Sequence, residues 1–217
     1  MKQVALAALF VLIAGVAAAQ QPTETRSWKF QVFLDDKPVG HHDFTLTTRG
    51  EQRELRSVAR FDVKFLFINA YQYQHEAIEG WQGDCLHSMK ARTDDNGKLL
   101  SVTASGQSGV MNVSHSAGSY VINGCAMSFA YWNPLMLQQQ RLLNAQTGEY
   151  DQVKIESLGT QPLTVRGIQQ SSNRYRLLGS NGKGQKLEID LWYSLSGDWL
   201  ALQSKTDSGR YLRYTLN

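Results

Sequence analysis

Alternation is the feature that most constrains this chain. From Trp28 onward almost every segment places apolar side chains at every second position and then breaks at Gly, Asn, Asp or Pro. That is the period of a strand with one covered face and one wetted face. Trp28, Phe30, Val32 and Leu34 share a face, Lys29 and Gln31 take the other, and Asp35-Asp36-Lys37-Pro38 turns the chain. The return strand groups His42, Phe44 and Leu46. Asp94-Asp95-Asn96-Gly97 and Ala117-Gly118 read as hairpin turns, the first because Asn and Gly both tolerate positive φ. Further turns are expected at Ser180-Asn181-Gly182, Ser196-Gly197-Asp198 and Asp207-Ser208-Gly209.

One stretch departs from this rhythm. Between Asn133 and Asn144, Pro134 suits a first helical turn, and Leu135, Leu142 and Leu143 form a stripe around Gln138-Gln139-Gln140, which predicts a three-turn helix over about 134–144. After it, strands are expected near 150–158, 163–167, 174–178, 186–193, 199–206 and 211–216. The expected fold is therefore mainly β, an antiparallel meander of roughly ten or more strands. So many strands do not lie in one flat twisted sheet, so the sheet should curl into a barrel or half-barrel, with the helix, led in by Phe129, Tyr131 and Trp132, over its mouth.

The N-terminus carries an export signal by the same kind of reading. Lys2 supplies a positive start, Val4 to Val16 an apolar run, and Ala17-Ala18-Ala19 the small residues that precede cleavage before Gln20. The expectation is a signal peptide over 1–19, a single β-rich domain over 20–217, and a periplasmic protein that is not integral to the membrane. In that oxidising compartment Cys85 and Cys125, the two cysteines of the chain, are expected to be joined; redox-active pairs sit two residues apart, which these do not.

Charge excludes some functions. Against 19 acidic residues stand 22 Lys and Arg, and loss of Lys2 takes the formal charge from +3 to +2 (3 − 1 = 2), so no concentrated basic face for nucleic acid is expected. Catalytic and metal motifs are also missing. His41 and His42 are adjacent on a strand and point to opposite faces, so they cannot share one ion, and they read as a turn-flanking surface pair. Gly106-Gln107-Ser108-Gly109 lacks the spacing and the following helix of a nucleophile elbow, and Gly182-Lys183-Gly184 lacks those of a phosphate loop. His75 and Glu79 share a strand face but lie about 13 Å apart along it, too far for a direct acid–base pair. No catalytic residue, metal or cofactor is assigned.

What calls for explanation is the aromatic load. Of the 22 Trp, Tyr and Phe, only Phe10 leaves with the signal. Some of these rings could fill a core, and a curled sheet could instead use them to enclose an apolar cavity. The candidates for lining it are Trp28, Phe30, Phe44, Tyr71, Tyr73, His75, Trp81, Trp132 and Trp192.

Several local motifs point the same way. Trp28-Lys29-Phe30 followed by Gly40-His41-His42, the Glu76 to Trp81 segment, Tyr131-Trp132-Asn133-Pro134, Leu142-Leu143-Asn144 with Thr147-Gly148, and Leu191-Trp192-Tyr193 resemble an uncharacterised proteobacterial family of small exported proteins of unknown function. The family implies no activity. The layout is also similar, without any shared motif, to the half-barrel carriers of periplasmic lipoproteins, in which a sheet wraps a short helical lid over an apolar cavity. Together these readings lead to a non-catalytic periplasmic binding or carrier protein for an apolar or amphipathic, lipid-like ligand. Two other readings stay open, an envelope protein–protein interaction module and an enzyme using a polar group in the barrel interior.

Overall fold

A computed structural model describes residues 22–65, 68–180, 184, 186–206 and 208–217. The expected signal over 1–19 lies outside the described residues, as do parts of the turns expected around 181 and 207. The sheet has fourteen strands, all paired antiparallel. Eight come first: β1 Thr23–Leu34, β2 Lys37–Arg49, β3 Gln52–Phe65, β4 Ile68–Gln82, β5 Cys85–Asp95, β6 Lys98–Gln107, β7 Val110–His115 and β8 Gly118–Asn123. Six follow: β9 Arg141–Leu143, β10 Tyr150–Val165, β11 Ile168–Ser180, β12 Lys186–Ser194, β13 Trp199–Lys205 and β14 Tyr211–Leu216.

Each strand pairs with its sequence neighbour, with one exception: β1 lies against β14, with Phe30 opposite Leu216 and Leu34 opposite Leu212. The sheet thus consists of two meanders, β1–β8 and β9–β14, joined along that seam. It curls around a shared core without closing, since β8 and β9 are its two edges and do not pair. The hairpin turns have the chemistry that the sequence requires. Asn96-Gly97, Ser108-Gly109 and Arg166-Gly167 each place two successive residues at positive φ, the primed turn geometry that matches strand twist. The Ser108-Gly109 pair is therefore a tight turn. One glycine serves a different purpose: a Cβ on Gly40 would stand 1.9 Å from the carbonyl oxygen of Arg60, so β2 and β3 approach closely only because no side chain is there.

The link between the meanders differs from expectation. In place of three α-helical turns there is a 3-10 helix at Pro134–Gln138, followed directly by β9. Asn133 caps it by accepting from the Leu135 N–H, and Gln139 is already extended at φ −84°, ψ 150°. Burial decides the outcome. Leu142 and Leu143 are adjacent and both fully enclosed, which a one-sided helical stripe does not permit but a strand covered on both faces does. The crossing segment, residues 124–132, starts exposed and enters the interior ahead of the helix, with Ala126, Met127, Ser128 and Ala130 buried. The segment is fixed on both sides: the Leu86 N–H donates to the Ala126 carbonyl, the Leu143 N–H to Met127, and the Phe129 N–H to Leu143. Cys85 and Cys125 are disulfide-bonded, which ties its start to the head of β5. This crossing segment, rather than a helical lid, links the head of β5 to β9.

The two strands expected at 150–158 and 163–167 are one strand, β10, with a bulge between Ser157 and Thr160. The bulge bends the β10–β11 hairpin, and Leu163 and Val165 near its tip pack on Trp192, Leu200 and Ala201.

Candidate functional site

Inside the curl lies a cavity of about 740 Å³. One wall is built by β2, β3 and β4, the facing wall by β12, β13 and β14, and residues 129 and 131 of the crossing segment with 144–146 of the β9–β10 link close one side. Of the nine candidate lining residues, Phe44, Tyr71, Tyr73 and His75 are on its walls. The other five expected side chains are placed elsewhere. Trp28 and Phe30 do face inward, but Trp199 lies over them with ring centroids 6.3 Å and 4.5 Å away, so that Trp199 meets the cavity in their stead. Trp81 and Trp132 pack edge to face at 5.4 Å within the core. Trp192 sits on the face of β12 opposite to Leu191 and Tyr193, beneath the bent hairpin and beside the Arg174 guanidinium.

Register explains the polar centre of the cavity. Phe30, His42, Ala59, His75 and Thr93 form one row across β1 to β5. Strands two apart are separated by about 9.6 Å, yet the imidazoles of His42 and His75 have centroids only 6.4 Å apart, because the small Ala59 between them lets both rings lean inward. His42 is thus no surface residue: His41 takes the exposed face, while His42 stacks on Phe44 at 4.0 Å. Its Nε2 is 2.7 Å from Ser57 Oγ, and His75 Nδ1 is 2.8 Å from Thr93 Oγ1. Sequence reasoning missed Ser57, Tyr131, Trp199 and Tyr214. The strand period places the first, third and fourth on an inner face but cannot say which inner positions stand beside empty space.

A serine bonded to histidine is where nucleophilic catalysis starts, but the other His42 nitrogen, Nδ1, lies 3.5 Å from the Tyr214 hydroxyl. A phenol can orient the ring but does not stabilise an imidazolium as a carboxylate does. Both imidazoles are moreover held neutral. Burial drives His42 well below the ordinary histidine range, with the charges of His75 and His41 adding to the effect. Burial takes His75 down to about 4, partly opposed by Glu76. What these groups offer at neutral pH is uncharged hydrogen bonding.

Glu79 belongs to the same wall. Its Oε2 accepts from Ser128 Oγ at 2.9 Å and from Trp81 Nε1 at 3.2 Å, which anchors the crossing segment to β4. Burial raises its pKa from 4.5 to about 7, against the lowering effect of those two hydrogen bonds. The consequence for stability has a definite sign. Below pH 4.5 the carboxyl is neutral folded and unfolded alike; as pH climbs toward 7 only the unfolded chain releases the proton freely, and folded stability falls. Glu79→Gln should abolish this loss, worth at most about 3 kcal/mol. In urea unfolding at a series of pH values, the variant should gain on the parent steadily from pH 4.5 to 7. A difference that does not change with pH would show that Glu79 titrates normally.

The mouth carries further polar side chains. Asp95 accepts from the Tyr71 hydroxyl at 2.6 Å, and Arg210 donates to Asp35 Oδ2 at 2.8 Å. Among the described residues no group of His, Cys, Asp and Glu is arranged to hold a metal ion. No helix among them is long and apolar enough to cross a membrane.

Comparison with known proteins fits this architecture. A beta-barrel-like protein of a domain of unknown function (DUF1849) from Brucella abortus superimposes with a TM-score of 0.64 over 91% of this chain and 96% of its own, at 11% identity. At that identity the likeness is one of fold. No curated protein matches. The model of a domain of unknown function, DUF6134, matches residues 30–217, from the first core strand through the seam and the crossing segment to β14, and the chain belongs to that family.

Proposed function

We propose that this protein is a non-catalytic binding or carrier protein of the bacterial periplasm that holds an apolar or amphipathic, lipid-like molecule inside its curled sheet. The observation that carries the reading is the cavity of about 740 Å³, in the size range of small-molecule sites, walled by aromatic and aliphatic side chains with a few converging polar groups. Burial of an alkyl chain contributes about 0.8 kcal/mol per CH₂, so a lipid tail can be held there without any charged contact. The disulfide supports an oxidising compartment, and the apolar leader supports export to it. Tyr71, Tyr73, His75 and Phe44 are the proposed contacts from the first meander, with Trp199 and Tyr214 facing them.

Gently purified protein should carry an extractable amphiphile, seen as an added mass in native mass spectrometry and lost on solvent extraction. The stripped protein should then take up a fluorescent fatty-alcohol analogue. Leu202→Arg, which projects a long cation from the facing wall, should weaken that uptake at least tenfold. Protein that is empty as isolated and also ignores the probe would overturn the reading.

A further inference from the structure

The charges around the cavity are unevenly arranged, and this bears on what the polar end of a ligand can be. Arg210 is the only Lys or Arg among the described residues lining it, and its guanidinium already donates to Asp35 at the mouth. Among the described residues the walls hold two carboxyl groups, Glu79 within and Asp95 at the mouth. Deeper in, the groups that face a ligand are hydroxyls, imidazoles and amides: Tyr73 donates to Gln146 Oε1 at 3.1 Å, His42 pairs with Ser57, and Tyr214 stands beside His42. An anion entering here would lose its water, find no unpaired cation among the described lining residues and face two carboxyl groups, which is the costliest way to bury a charge. A hydroxyl, carbonyl or amide can instead exchange hydrogen bonds with groups that both donate and accept.

Resting on the carrier reading, we infer that the cavity selects amphiphiles whose polar end is uncharged and rejects those that end in a carboxylate or phosphate. The neutral state of His42 and His75 agrees, since neither supplies a cation at neutral pH.

The test compares ligands of one chain length, dodecanol, dodecanoate and dodecyl phosphate, displacing a fluorescent fatty-alcohol analogue from the intact, disulfide-bonded protein at neutral pH. Dodecanol should bind of order a hundredfold more tightly than either anion. Gln146→Lys, which sets an ammonium group at the cavity wall and removes the acceptor of the Tyr73 hydroxyl, should raise the affinity for dodecanoate relative to dodecanol about tenfold. Circular dichroism and the unfolding midpoint report whether each variant is folded. Anions that bind the parent as tightly as dodecanol would overturn the selectivity while leaving the carrier reading standing. Failure of all three ligands and of the probe would overturn both.

Discussion

Trp199→Ala should lower folding stability by about 4 kcal/mol, read as a shift of the urea midpoint with an unchanged slope. The size follows from where the ring sits. Trp199 is almost wholly buried at the head of β13, and its indole N–H donates to the Ala201 carbonyl at 3.1 Å. Its ring lies 4.5 Å from Phe30, 5.0 Å from Phe44 and 5.3 Å from Tyr131. These neighbours come from β1, from β2 and from the crossing segment, so one side chain joins both meanders to the segment that links them. Removing it forfeits the transfer energy of the ring and enlarges the neighbouring cavity, since the rigid strands around it cannot collapse to fill the void. A loss below about 1 kcal/mol would mean that the rings repack and that Trp199 is no hub.

Opening the disulfide should have a comparable effect by another route. Cys85 and Cys125 are 40 residues apart in sequence, and a cross-link closing a loop of that length stabilises by about 4 kcal/mol in the chain-entropy account. The Cys85→Ser, Cys125→Ser double variant should therefore unfold at lower urea, and more of its loss should appear locally. The bond fixes the start of the segment whose Phe129 and Tyr131 line the cavity. Hydrogen exchange at residues 124–132 should accelerate before that of the central strands. If exchange there is as slow as in the parent, the Leu86, Met127 and Leu143 backbone hydrogen bonds hold the segment without the covalent tie.

The fold was far more legible in the sequence than the site, for a physical reason. Strand alternation and positive-φ turn residues are local signals, and they located β1, β2, the Asn96-Gly97 and Gly118 hairpins and the curled meander. Leu142-Leu143 misled because two adjacent buried leucines suit either a helix or a strand covered on both sides, and the covering chain is distant in sequence. The cavity depends on register, which no single strand reveals. His42 and His75 meet only because Ala59 falls between them, and Phe30 is screened only because Trp199 folds over it. Trp192 had the right residue type and the wrong parity relative to Leu191 and Tyr193.

The single seam between β1 and β14 gives the chain a particular folding problem. Every other pairing can form between neighbours in sequence, hairpin by hairpin, at small loop-closure cost. Joining β1 to β14 must bring together residues nearly the whole domain apart, and until that happens each meander exposes an edge strand and half a core. The β1–β14 pairing thus carries the largest loop-closure cost in the sheet. The same seam places the strands nearest the two chain ends side by side, with the Asn217 N–H donating to the Lys29 carbonyl, so a short covalent link there would turn the longest-range step of folding into a local one.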